Sequence, residues 1–533
     1  MSGTKVHSNY EDLLTFTRAS KGHALRPVSY GAEQSPNATF TGNIDGWRAL
    51  NAKATATAEN NELKVVTTGI SGAVLNSSIT LEIGKIYRVS ATSTSATVNH
   101  MIRLGSTSAT SSDILSGTQS SVPTTFRHTF VAASDVLWIY LRNVGAGTVT
   151  WDNISVKEVT FDQPDGTLTL FEHPDDVPRV EYDADGNRLG LLVEEQRVNS
   201  LLRSNEVTTS PWTSSTTATQ NLTGPDGISN SGWTLEDSST STFEQNTQSV
   251  SITANTNTHC VSFFIKKDND ESRFPEFQIV MGGNFFVQMN TKTGATYSRT
   301  NQISGTSDVE DYGEWWRVIM TATNGGSATS LLFKVIPAVS AALGNTVLAT
   351  LTGSIGFYGG QVELNASFPT SYIKTTVETA TRSADVASIP VADFGFNADE
   401  GTLFAELRAE DTSSTTGHTF YSLKKDTSNY VRLDRYSAGF ALRVRDGGTY
   451  SVQAQIPGGE PNTTDLHKVS AAYKANDFAY VYNGGTVGTD TSGTIPDGIT
   501  TLHLSEGDFN GHIKKLMYIP RRLTNAQLVD LTS

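Results

Sequence analysis

Along most of this chain apolar residues alternate with polar ones at the two-residue period of half-buried strands. The run Val-Leu-Trp-Ile-Tyr-Leu-Arg at 136–142 is the clearest case. It sends Leu137, Ile139 and Leu141 to one face and Trp138, Tyr140 and Arg142 to the other. Strand-like runs at 62–66, 86–90, 100–104 and 126–130 precede it, parted by Gly, Ser and Asn turns, so residues 36–159 predict an antiparallel sandwich. A second series, at 260–265, 285–289, 313–320, 330–335 and 355–363, predicts another sandwich over 201–390. A third, at 401–407, 430–434, 440–444 and 479–485, fills 391–533. One helix is predicted near the end, with Thr524 as N-cap before 525–531. The stretch 1–35 reads as an N-terminal attachment segment and 160–200, rich in Asp, Pro and Gly, as a linker. The pattern therefore predicts an all-β, multi-domain protein.

Composition narrows the partners. At 533 residues the chain is too long for one core. Its 39 basic against 54 acidic residues give a net charge of -15, which repels phosphate backbones and anionic membranes and argues against nucleic acid as a partner. The single cysteine, Cys260, lies in an apolar run and is expected to be a small core residue. The N-terminus has no apolar stretch of the secretory kind, and no run approaches a membrane span. These features predict a protein made in a cytoplasm without export.

Catalytic patterns are weak. Glycosidases place two carboxyls ~5 to 9.5 Å apart. Glu406, Glu410 and Asp411 have the wrong spacing for one strand face and read as solvent-side charges. Glu194 and Glu195, like Glu310 and Asp311, are sequence neighbours that a strand points apart, and the first pair suggests structural ties to Arg179 or Arg197. Asp183 to Asn187 resembles the start of a calcium loop but reads as an Asp-Gly hairpin turn. The histidines are scattered, and His100 and His128 are expected to face solvent. No catalytic residue and no cofactor is predicted.

Several phrases resemble a recurring group of bacteriophage structural proteins, tail-fibre-like and other virion-surface polypeptides. They are Phe-Thr-Arg-Ala-Ser at 16–20, the stretch 177–199 beginning Val-Pro-Arg, the run 355–363, and Ser-Tyr-Ile-Lys-Thr-Thr at 371–376 with Ala-Thr-Arg-Ser-Ala-Asp at 380–385. In that group the first two segments follow one another closely, which implies that 36–159 is an insertion and that residues 10–35 and 160–200 meet in space. The phrase at 37–47, with Phe40 and Trp47, and the closing strand at 147–159, with Trp151 and Asp152, resemble carbohydrate-binding jelly rolls. The 201–390 module follows the same plan. The last module, with Gly-His-Ile-Lys at 511–514 before the terminal helix, resembles laminin-G or concanavalin-like sandwiches.

These resemblances imply a non-enzymatic virion protein, a tail fibre, tail-associated adhesin or surface decoration. Its partners would be other virion proteins and host-surface glycan, and its assembly a homo-oligomer, a trimer first, since fibres gain avidity by repeating weak sites. The rival reading is a spacer or capsid ornament without ligand, and a third a polysaccharide depolymerase. On the residues, the candidate glycan face is Trp138, Tyr140 and Arg142, joined by Arg103 on the neighbouring strand: two rings to stack a pyranose and cations to donate hydrogen bonds. The jelly-roll resemblance also implies a structural calcium at Asp152.

Overall fold

The computed structural model describes residues 10–69, 73–107, 111–345, 347–410, 418–436, 439–457, 466–505 and 509–533. Among them secondary structure is almost wholly antiparallel strand, in sheets that stack as three sandwiches. The chain divides into two compact units, Pro27–Thr167 and, around it, Met1–Arg26 with Leu168–Ser533. The first unit is thus an insertion in the second.

The inserted unit holds the first sandwich. A five-stranded sheet runs in the order Trp47–Ala49, Ala73–Thr80, Val136–Asn143, His100–Gly105, Leu115–Ser116. The facing sheet is built on the long strand Gly147–Phe161, which pairs with Ile86–Ala96 and with Glu62–Thr67. Between them lie Leu137, Ile139, Leu141, Ile102 and Leu104, as the alternation predicted, together with Trp47 and Trp151. His100 departs from expectation, being fully buried. It shares parity with Ile102 and Leu104, so the period that sends those two inward sends His100 with them, against Trp151 and in hydrogen bond with Ser93 Oγ at 2.7 Å.

The second sandwich stacks two six-stranded sheets over a core that includes Phe263, Phe277, Phe333, Phe357 and Trp212. The outer side of one sheet is also covered: Phe264, Trp315, Tyr358 and Tyr372 form a second aromatic cluster with Leu170. Cys260 lies on this side too, buried against Ile319 and Ala366.

The third sandwich has two seven-stranded sheets, and the chain's early segments belong to it. Thr15–Thr17 pairs with Val386–Pro390. Arg179–Tyr182 and Arg188–Val193 form a hairpin whose second strand pairs with Gly511–Ile519. The stretches read from sequence as attachment segment and linker are therefore, in these parts, strands of a sandwich whose other strands lie some hundreds of residues downstream. Alternation gives the face of a strand and never its partner, which is why the assignment needed coordinates. Gly190 is required here: its φ of 125° is one that L side chains rarely adopt, and a Cβ would lie 2.2 Å from the Ile513 carbonyl oxygen. At the far end Thr524 caps Asn525–Thr532 in a reciprocal capping box with Gln527, as predicted.

Candidate functional site

Two places in the molecule gather charged side chains that the sequence singled out. The first is buried. Arg18, Arg179, Arg382, Glu194 and Asp385 come together with side chains almost wholly removed from solvent. Asp385 joins Arg18 at 3.3 Å and Arg179, and accepts the Glu194 amide at 2.9 Å. Glu194 joins Arg179 at 2.7 Å and Arg382, and accepts both the amide and the hydroxyl of Ser371. Burial alone would raise the pKa of Glu194, but the Arg382 and Arg179 guanidiniums override it and hold the carboxyl well below its ordinary range. For Arg18, burial and the like charge of Arg179 lower the pKa to about 10.

Four of the five phrases singled out in the sequence contribute to this cluster: Arg18 from the first, Arg179 and Glu194 from the second, Ser371, Arg382 and Asp385 from the closing ones. The split halves meet directly, with Arg18 N donating to Asp176 at 2.8 Å and Asp176 N to the Arg18 carbonyl at 3.1 Å. The phrases are a device of folding. They tie the N-terminal segment to strands of the second and third sandwiches.

The carboxylate pairs separate as their parity requires. Glu195 turns to Arg197 while Glu194 enters the cluster. Asp311 pairs with Lys267 at 2.7 Å and Glu310 faces Arg317 at 3.6 Å. Glu406 stands between Lys468 and Lys515 in register, and Asp411 lies outside the described residues. Asp183 spends its carboxylate on its own turn, accepting the amides of Asp185 and Asn187. A pairing that sequence reading missed is Glu181 with His512, at 2.7 Å. Burial would depress the imidazole, but Glu181 and Glu410 raise it to about 9.

The second place is the outer face of the five-stranded sheet. Trp138, Tyr140 and Arg142 do lie opposite the core trio, and Arg103 is the cross-strand partner of Tyr140. Register adds one residue that spacing could not reveal, Arg48, so that a single row crosses the sheet as Arg48, Leu75, Tyr140, Arg103, Ser116. Arg48 is exposed; Trp138, Arg103 and Arg142 are half-buried. Tyr140 is 4% exposed, so the middle ring of the expected platform is covered. Beside Trp138, Gly105 leaves room for the 111 segment, since a Cβ there would meet Ser111 Oγ at 2.1 Å. The Tyr140 hydroxyl and Arg103 Nε are buried without a hydrogen-bond partner among the described residues. Burial raises the Tyr140 pKa against the pull of Arg103, and burial with the like charge of Arg103 lowers that of Arg142. None of the three arginines has an ion-pair partner among the described residues.

Asp152 sits at a bulge of the long strand where Asn153 adopts a φ of 52°. One carboxylate oxygen accepts from Asn153 at 2.9 Å and the other is buried without a partner among the described residues. Calcium takes 6–8 oxygens. No group of three or more His, Cys, Asp or Glu among the described residues could hold a metal, so the residues present do not assemble a charged donor set around Asp152.

No family model matches the chain, and no curated protein matches it. Among solved structures it is similar to the CBM22-1–CBM22-2 tandem domain of Paenibacillus barcinonensis Xyn10C, at 10% identity and a TM-score of 0.20, over 64% of this chain and 99% of that one. It is similar to domains LG4-5 of the mouse laminin α1 chain, at 11% identity and a TM-score of 0.20, over 62% of this chain and 92% of that one. It is also similar to Trypanosoma rangeli sialidase, at 12% identity and a TM-score of 0.21, over 91% of this chain and 84% of that one. Such values assign no role to any residue; the all-β sandwich architecture rests on the strand pairings themselves.

Proposed function

We propose that the chain is a modular, non-enzymatic virion-surface protein that attaches to host-surface glycan through the outer face of its first sandwich, as a homo-oligomer that repeats the site. The observation carrying this reading is the group of arginines that shares the sheet face of Trp138. Three guanidiniums gather on one sheet face, without ion-pair partners among the described residues, in a chain whose net charge is -15. A polyhydroxylated ring stacked on Trp138 would take hydrogen bonds from Arg103 and Arg142 and satisfy donors that the fold leaves open. The virion context rests on the phrase resemblance alone. Tyr140 favours the rival spacer reading to the extent that its ring is already covered.

The test compares two neighbours. Trp138→Ala is expected to weaken retention on host polysaccharide by about tenfold or more, which is about 1.4 kcal/mol, with little change in melting temperature. Leu137→Ala, on the buried face, is expected to cost about 2–5 kcal/mol of stability through the cavity it opens. Equal destabilisation by both would establish Trp138 as a packing residue and support the spacer. Release of oligosaccharide from the polysaccharide would overturn the non-enzymatic assignment.

A further inference from the structure

The third sandwich carries a face of different construction. Strands His418–Asp426, Asn429–Tyr436, Gly439–Asp446 and Thr449–Pro457 lie side by side, with Leu423, Val431, Leu433, Leu442, Val444 and Val452 turned to the core. The opposite parity forms two cross-strand rows. One is Ser422, Arg432, Arg443, Gln453; the other is Lys424, Tyr430, Arg445, Tyr450. A cavity of about 270 Å³ opens on this face, lined by Ser422, Lys424, Tyr430, Arg432, Arg445 and Tyr450 together with Thr427.

Its chemistry is specific. Arg432 lies over the Tyr430 ring at 4.8 Å and Arg445 over Tyr450 at 5.5 Å, so each ring is held by a cation. Tyr450 is 42% exposed and keeps an edge for a ligand. Four cations, Lys424, Arg432, Arg443 and Arg445, stand in the two rows; Asp434, two residues beyond Arg432 on the same strand, lies 2.8 Å from Arg432 and 3.7 Å from Arg443, and Arg445 donates to the carbonyls of Gly448 and Thr427. Two further acids at the strand ends are engaged locally, Asp426 with the Ser428 amide and Asn429, and Asp446 with Thr494. Ser422 is 1% exposed, lines the cavity, and its hydroxyl has no hydrogen-bond partner among the described residues. A buried hydroxyl left unsatisfied is unfavourable, and a bound acceptor would relieve it. The hydrogen bond from Tyr430, with smaller contributions from Arg443 and Arg432, lowers the Tyr450 pKa.

We infer that this cavity binds an acidic sugar, a pyranose ring carrying a carboxylate, with the ring against Tyr450, the carboxylate at Lys424 and the guanidiniums, and a ring oxygen at Ser422. This site is separate from the Trp138 face and stands whether or not that face binds glycan. The cavity falls just below the ~300 Å³ at which ordinary small-ligand pockets begin, which suits one ring and its substituent.

The experiment titrates the full-length protein with a galacturonic acid hexamer, a neutral maltohexaose, a heparin hexasaccharide and inorganic phosphate. Binding of the uronate, weakening as salt rises, and at least tenfold weaker in both Lys424→Ala and Tyr450→Ala at unchanged melting temperature, supports the inference. Phosphate competing as well as the uronate would reduce the site to an anion hole and overturn it. Preference for heparin would replace carboxylate with sulfate and overturn the carboxylate assignment. Equal binding of maltohexaose would remove the role of charge. Trp138→Ala serves as the control: loss of uronate binding there, with Lys424→Ala and Tyr450→Ala unaffected, would place the acidic sugar on the first sandwich and sink the cavity as a site.

Discussion

Asp385→Ala is expected to cost about 3–5 kcal/mol, because it leaves buried guanidiniums without their counter-charge in a place that water does not reach. Arg18 and Arg179 both lose an ionic partner, and the Glu194 amide loses its acceptor. The cluster already holds three guanidiniums against two carboxylates, so removing one acid leaves Glu194 alone among Arg18, Arg179 and Arg382. Urea unfolding followed by tryptophan fluorescence measures the loss. Asp311→Ala is the comparison: its partner Lys267 and the aspartate are both partly exposed, and exposed pairs contribute about 1 kcal/mol or less. If the two variants shift the midpoint equally, the buried cluster does not hold the N-terminal segment to the sandwiches.

The chemistry of that cluster was illegible in the sequence, although the phrases that build it stood out there. Arg18, Arg179, Glu194, Arg382 and Asp385 are spread over more than 360 residues of sequence, and nothing in their spacing says that they converge. Glu194 could be read as a tie to Arg179, since both lie in one phrase, and the structure joins them at 2.7 Å. Asp385 could not, because its partners lie far away in sequence. The strands were legible for a related reason. Alternation is a local property, and Leu137, Ile139 and Leu141 are buried as their parity demands. His100 shows the same rule neglected, since parity with Ile102 already placed it inside. What alternation cannot report is which strands are neighbours. Arg48 joins the Tyr140 row, and Thr15–Thr17 joins Val386–Pro390, only through sheet order. The rows of Tyr430 and Arg445 were hidden likewise: the strands at 430–434 and 440–444 were read from the sequence, but their neighbours His418–Asp426 and Thr449–Pro457 were not.

The pH dependence of stability is expected to fall on the alkaline side through His512. Its pKa is raised from 6.5 to about 9 by the Glu181 and Glu410 carboxylates, which outweigh burial. A group with a raised folded-state pKa contributes fully below its unfolded value and loses that contribution as pH climbs through the folded one. His512 should therefore withdraw about 3 kcal/mol between about pH 6.5 and just above pH 9. Glu310 is also raised, to about 7, by burial against the pull of Arg317, and its own loss of stability with rising pH is complete near that value. Toward acid the sign reverses: Glu172 and Glu194 are held below their ordinary range, so their contributions vanish as pH falls below about 4.5. The alkaline window thus isolates His512 from these carboxyls. Urea midpoints followed from about pH 6 to about pH 10 should converge for wild type and His512→Gln, with wild type the more stable at the low end and the difference gone at the high end. Parallel curves through that range would mean that the Glu181–His512 contact is made by a neutral imidazole, and the third sandwich would then owe nothing to the charge of this pair.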